Sequence, residues 1–275
     1  MRVGLIGCGN IGTTLCESIA EGGIPVDIVA ITDLIPERAA ELVRTFGLRA
    51  ETGTIEETVK CADYAVECAA PDAVESVLQA AMLHGKDCLI ISVGGLLEAD
   101  DLLEEARSCG VTVDIPSGAI CGLDGLHAAR ESGLESVTLT TRKPPAAFTN
   151  VPWLEERGLD MSRLLESVVV FEGTAREACR AFPKNINVAA TLSLAGVGPE
   201  RTRVRIIADP GATCNIHEIE VLGAFGRLLT RTENRPSTRN PGSSSLASWS
   251  VISELRAAAM RFESEQVGLM RCVAQ

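Results

Sequence analysis

The first hundred residues alternate a short, unbroken apolar run with a longer amphipathic one: RVGLIG then IGTTLCESIAEG, VDIVAIT then IPERAAELVRTFG, DYAVECA then DAVESVLQAAMLHG, DCLIISV then LEADDLLEEARSCG. A strand reads as a continuous apolar run when both of its faces are buried, and a helix-length connection lets consecutive strands pair in parallel. The rhythm therefore restricts this part of the chain to a doubly wound α/β unit, a parallel sheet with helices on both faces. VTVDIP at 111–116 supplies one more strand, and there the rhythm changes.

From about residue 135 the strands alternate apolar and polar residues, as in ESVTLTTRK, ESVVVFEG, TRVRIIADP and NIHEIEVLG, with helices expected at 174–181 and through NVAATLSLAG. Alternation means one buried and one wet face, which fits an α+β domain on an open mixed or antiparallel sheet. TENRPSTRNPGSSS, 232–245, has no periodicity and is expected to be a loop, followed by an amphipathic helix through LASWSVISELRAAAMRFESE. The 275 residues suffice for two cores. The expected division is a dinucleotide-binding domain over 1–115, to which a C-terminal helix at 246–265 returns, and a substrate-binding, catalytic and dimerisation domain over 116–245.

The dinucleotide expectation comes from GCGNIG at 7–12. This glycine pattern follows a buried strand, opens a helix, and precedes Asp33 at the end of the next strand. In that context Gly7 makes the tight turn, Gly9 lets a pyrophosphate approach the backbone, and Gly12 lets the helix pack closely. Asn10 and Ile11 begin the helix whose free N–H groups and dipole hold the anion. Asp33 would accept hydrogen bonds from the adenosine ribose and repel a 2′-phosphate, which favours NAD; Arg38, five residues on, leaves NADP open as a second cofactor. Ligands lie at the carboxyl edge of such a sheet, so Cys68 and Ala69 in ECAAPD, and SVGG at 92–95, are expected beside the ribose and nicotinamide.

Other classes are disfavoured. With 37 acidic against 25 basic residues and a net charge of −12, the chain would repel a phosphate backbone, and the basic residues form no stripe, so no nucleic-acid partner is expected. No apolar run approaches the roughly 18 residues that cross a bilayer. The start does not resemble a signal peptide, and ten scattered cysteines lack any C-x-x-C pair, so reduced thiols and a cytoplasmic location are expected. No H-E-x-x-H or paired Cys/His spacing predicts a metal, and no G-x-S-x-G elbow predicts a serine hydrolase.

The chain has three histidines. His84 ends a helix and His127 lies on an exposed-looking one, both structural in expectation. His217, in CNIHEIEV, falls with Asn215, Ile219 and Val221 on one face of a strand. By spacing alone, core packing and a pocket wall both remain open for it.

Several long strings carry a resemblance: PSGAICGLDGL at 116–126, TRKPP at 141–145, FEGTAREACRAFPKNINVAATLSLAG at 171–196, ADPGATCNIHEIEVLGAFG at 208–226 and TENRPSTRNPGSSSLA at 232–247. Together they resemble the L-aspartate dehydrogenase family of NAD biosynthesis. The resemblance implies oxidative deamination of L-aspartate with NAD or NADP to iminoaspartate, then oxaloacetate and ammonia, by a homodimer built on the second domain's sheet. It implies that His217 is the catalytic acid and base, facing the nicotinamide across bound aspartate, and that Ala119 and Asn187 contact the cofactor on the nicotinamide side. Cys121 stands where the family more usually has a glycine. Lys184, Arg142 or Lys143 are candidates for the substrate carboxylates, and Ser117 and Thr191 for hydrogen bonds to the substrate. The alternatives are another Rossmann amine or imine oxidoreductase, such as a dihydrodipicolinate-reductase-like enzyme, whose His-His signature is missing here, and a non-catalytic NAD-binding sensor or structural protein.

Overall fold

The computed structural model describes residues 1–183, 187–237 and 243–273, which form two compact units. The first comprises Met1–Pro116 and Ser248–Gln275, the second Ser117–Ala247. In the first unit the elements follow as β1 (Arg2–Ile6), α1 (Asn10–Ala20), β2 (Asp27–Thr32), α2 (Pro36–Phe46), β3 (Glu51–Thr52), α3 (Ile55–Cys61), β4 (Tyr64–Glu67), α4 (Val74–His84), β5 (Asp87–Ile90), α5 (Val93–Leu96), α6 (Asp100–Ser108) and β6 (Val113–Asp114). All strand pairs are parallel, in the order β3-β2-β1-β4-β5-β6. The order reverses between β1 and β4, the topological switch point of a Rossmann sheet.

β1, β4 and β5 are apolar because both faces are covered; Leu5, Val66 and Leu89 are all buried. Glycines in the left-handed region stop α2 at Gly47 and α4 at Gly85, the usual release for a helix C-terminus. Two elements lie outside the apolar rhythm of the sequence. Strand β3 has only two residues, both exposed at the sheet edge, and α3 is a single amphipathic segment started by a Thr54–Glu57 capping box.

The second unit contains α7 (Leu123–Glu131), β7 (Leu134–Lys143), α8 (Pro152–Glu155), β8 (Val168–Thr174), α9 (Ala175–Ala181), α10 (Asn187–Ala195), β9 (Arg203–Ala208), β10 (Asn215–Gly223) and β11 (Gly226–Asn234). Its mixed sheet runs β11-β10-β7-β9-β8, with β7 and β9 parallel and the other pairs antiparallel. Val137, Leu139, Thr141 and Lys143 of β7 point to the buried face, as do Val204, Ile206 and Ala208 of β9 and Asn215, His217, Ile219 and Val221 of β10. The other face carries Glu218 and Glu220 on β10, paired with Arg231 and Arg227 on the hairpin partner, and Arg205 is exposed two strands away on β9. Strand β11 corrects the expected loop at 232–245. Residues 232–234 still pair with β10, and Asn234 is buried. Its run RLLTRTEN alternates polar with apolar weakly, because the strand is a sheet edge with one wet face.

The last helix, α11 (Ser245–Val273), packs on the first unit from Ser248 onward. Val251, Ile252, Leu255, Ala258 and Ala259 form an apolar stripe at helical spacing and join Leu5, Leu15, Ile24 and Val66 in one core. Arg256 Nη2 donates to the Gly23 carbonyl at 2.7 Å, and Arg261 pairs with Asp114.

Candidate active site

The three fingerprint glycines meet different surroundings. At Gly7, where φ is +104°, a Cβ would lie 2.6 Å from the Ala69 nitrogen, so only glycine lets β1 turn this close to the end of β4. At Gly12 a Cβ would lie 2.2 Å from the Gly7 carbonyl oxygen. At Gly9, which caps α1, a Cβ would meet nothing within 4 Å. Packing therefore demands the outer two glycines, whereas the middle one faces open space. The first turn of α1, beginning at Asn10 and Ile11, carries no acidic side chain, so the helix dipole is uncompensated. These features fit a pyrophosphate, which needs exposed N–H groups and close backbone approach.

Asp33 follows β2 at the same edge. Its Oδ2 accepts from the Cys8 N–H at 2.7 Å and its Oδ1 from the Ile35 N–H at 2.9 Å, so the carboxylate is oriented by the glycine loop. Each oxygen keeps a lone pair for a ribose hydroxyl. Burial, reinforced by the Asp33 charge, pushes the Cys8 thiol up to about 12, which leaves it unreactive. Cys68 is also buried and donates from Sγ to the Gly7 carbonyl at 3.1 Å.

Glu67 was not singled out by sequence, yet it organises this edge. Its side chain is fully buried, and it accepts from the Ala69 N–H (2.8 Å), the Ile91 N–H (3.1 Å), the Ser92 N–H (2.8 Å) and the Ser92 hydroxyl (2.8 Å). Burial raises its proton affinity, against the pull of these bonds. One carboxylate thus ties the loop after β4 to the loop after β5. A glutamate ending an apolar strand carries no local signal of that role.

In the second unit His217 is only 3% exposed. It pairs with Thr141 on β7 and Thr232 on β11, and its Nδ1 lies 3.0 Å from the Thr141 hydroxyl. Burial first, and then the Lys143 charge, lower its pKa to about 3, so the free ring is neutral. Along the same face the sheet changes character. Val137 and Val221, then Leu139 and Ile219, give way to Thr141 and His217, then to Lys143 and Asn215. His217 therefore stands where an apolar core becomes polar.

Ala119 is held at this polar end. Its carbonyl accepts from the Thr232 hydroxyl at 2.8 Å and from Asn234 Nδ2 at 2.9 Å. Asn187 opens α10, and its neighbour Val188 packs beside Gly118, next to Ala119. Ser117 is half-buried two residues before Ala119, and Thr191 is buried on α10. Lys184 lies outside the described residues. Arg142 and Lys143, adjacent in sequence, separate: Arg142 Nη1 pairs with Asp209 at 2.8 Å, while Lys143 is buried on the His217 face. Cys121 does not have the positive φ that would demand the family's glycine, whereas Gly122 does. His84 contacts Glu56 at 3.4 Å within the first unit, and His127 is exposed on α7. Among the described residues no group of His, Cys, Asp or Glu could hold a metal ion.

Residues 7–116 match the family model described as homoserine dehydrogenase, NAD binding domain. The first unit is thus an NAD-binding Rossmann domain, and the chain is an oxidoreductase. Residues 124–258 match the model described as aspartate dehydrogenase, C-terminal. An L-aspartate dehydrogenase of Methanosarcina acetivorans is 42% identical over 260 residues, covering 93% of this chain and 96% of that protein. One of Ralstonia pickettii is 40% identical with the same coverage. The crystal structure of aspartate dehydrogenase from Thermotoga maritima is 31% identical, with a TM-score of 0.71 over 94% of this chain and 96% of that one. The chain belongs to the L-aspartate dehydrogenase family.

Proposed function

We propose that this protein oxidises L-aspartate with NAD, giving iminoaspartate, which water converts to oxaloacetate and ammonia. Family membership supports the activity, and the observation that carries the mechanism is a buried, neutral His217 oriented through Nδ1 by Thr141. When bound, NAD accepts the hydride from the substrate Cα. His217 handles the protons. In the tautomer whose Nδ1–H donates to the Thr141 hydroxyl, Nε2 is a free acceptor and takes a proton from the substrate ammonium, exposing the nitrogen lone pair that expels the hydride. The resulting imidazolium can return its proton during hydrolysis of the imine. Ala119 and Asn187 serve the nicotinamide side, Gly7, Gly9, Asn10, Ile11 and Gly12 the pyrophosphate, Asp33 the ribose, and Cys68 and Ala69 line the cofactor. Ser117 and Thr191 remain substrate hydrogen-bonding candidates. NADP is a second, weaker cofactor in this reading.

No helix among the described residues is long and apolar enough to cross a membrane. We place the enzyme in the cytoplasm as a homodimer joined through the wet face of the second unit's sheet, where Leu222 and Leu229 are exposed among charged residues. Light scattering after gel filtration measures the dimer directly. The activity is tested by NADH absorbance with L-aspartate, in wild type and His217→Ala. Loss of about a hundred- to ten-thousandfold in kcat is expected for removal of the proton-transfer group. No turnover by wild type, or an unchanged rate in the variant, refutes the reading.

A further inference from the structure

Thr230, Thr232 and Asn234 occupy alternate positions on the edge strand β11, so they share one of its faces. All three donate to one short stretch of irregular chain: the Thr230 hydroxyl to the Cys121 carbonyl at 3.3 Å, the Thr232 hydroxyl to the Ala119 carbonyl at 2.8 Å, and Asn234 Nδ2 to that same Ala119 carbonyl at 2.9 Å. Asn234 Nδ2 also donates to the Thr232 hydroxyl oxygen at 3.1 Å, which leaves the Thr232 proton for Ala119. At Gly122 a Cβ would lie 2.6 Å from Thr230 Cγ2, so glycine lets the stretch run close against the strand. Both lone pairs of the Ala119 carbonyl are thereby engaged, and its peptide is pinned to β11. By register Thr141, His217 and Thr232 are direct partners across β7, β10 and β11, one row on a single face. His217 therefore stands between two threonines: Thr141 bonds its ring, and Thr232 bonds Ala119.

We infer that Thr232 and Asn234 are positioning residues, which hold Ala119 at one fixed separation from His217. This rests on the aspartate reading above and deepens it, because there His217 exchanges protons with the substrate and Ala119 serves the nicotinamide side. Groups carried on neighbouring strands of one sheet keep their spacing better than groups on separate loops, and the row from His217 to Thr232 carries that precision to a stretch that is itself irregular. Both residues act through Ala119. In this reading the pyrophosphate and ribose are held by the first unit, so a displaced Ala119 costs rate rather than cofactor affinity.

The test measures the deuterium-sensitive rate of NADH formation in a single turnover of L-aspartate, with NADH affinity followed by nicotinamide fluorescence. Thr232→Val keeps the shape and removes the donor; it should slow that rate at least about tenfold while NADH affinity stays within about threefold. Thr232→Ser restores the hydroxyl and should return the rate to within about threefold of wild type. Asn234→Ala leaves the Thr232 bond in place and should slow the rate by about threefold or more; it decides the matter should Thr232→Val not fold. The midpoint of the pH–rate profile should be unchanged in Thr232→Val, because the Thr141 contact to the His217 ring is intact. An unchanged rate in either Thr232→Val or Asn234→Ala, a Thr232→Ser variant as slow as Thr232→Val, or a shifted midpoint overturns the inference while leaving aspartate oxidation standing. A wild type that does not oxidise aspartate overturns the reading beneath it.

Discussion

Replacing the buried Lys143 by methionine should make the protein more stable. Burial lowers the Lys143 pKa from 10.5 to about 8, which at about 1.4 kcal/mol per decade corresponds to about 3 kcal/mol of destabilisation at pH 7. At that pH the side chain is protonated in both folded and unfolded states, so the whole desolvation cost is present. As pH rises through 8, the folded protein releases the proton while the unfolded chain, at 10.5, still holds it; the cost therefore shrinks with rising pH. Methionine is unbranched, of similar length and apolar, so it fills the space without the charge. Lys143→Met should exceed wild type in unfolding free energy by up to about 3 kcal/mol at pH 7, and by less than about 1 kcal/mol at pH 10. The chain has two tryptophans, Trp153 in the second unit and Trp249 in α11. In a Trp249→Phe background, urea titrations followed by Trp153 fluorescence report the unit that contains Lys143. A variant less stable than wild type at pH 7, or a gap independent of pH, would refute the reasoning.

Gly9→Ala should fold with an unchanged urea midpoint, because its Cβ meets nothing, yet weaken NAD at least about tenfold; Gly12→Ala should lose both, because its Cβ would strike the Gly7 carbonyl. Calorimetry and circular dichroism separate the two. Asp33→Ala should raise the NADP to NAD ratio of kcat/KM by about tenfold or more through loss of like-charge repulsion, and an unchanged ratio would remove Asp33 from the ribose site. Glu67→Gln presents an amide N–H to some of the four donors now satisfied by the carboxylate. A loss of about 2–4 kcal/mol and weaker NAD binding are expected, measured by thermal unfolding with and without cofactor.

Much of the first unit was legible because its information is local. Buried parallel strands announce themselves as apolar runs, and the glycine positions follow from steric demands within a few residues. Strand β3 was not, since two exposed edge residues, Glu51 and Thr52, bury nothing. Strand β11 reads partly as loop in the sequence because its wet face alternates charge with a weak apolar signal. The site in the second unit is non-local. Thr141 and His217 are 76 residues apart, and only the β7–β10 register brings them together. Likewise Ala119 is fixed by residues more than a hundred positions later, and Arg142 and Lys143, alike by composition, differ by strand parity. The family resemblance named His217 and Asn187, but the Thr141 contact and the Glu67 tie required coordinates.

The return of α11 also bears on how the chain is made. Its apolar stripe completes the core begun by Leu5, Leu15 and Ile24, so a nascent chain has a bare patch on its first unit until about residue 259 has emerged from the ribosome. The second unit, encoded without interruption over 117–247, can close earlier, although its first residue is translated later. Synthesis order and folding order are thus inverted. The N-terminal unit waits for the last helix, and a premature stop just before Ser248 would leave a complete second unit attached to an NAD-binding unit without part of its core.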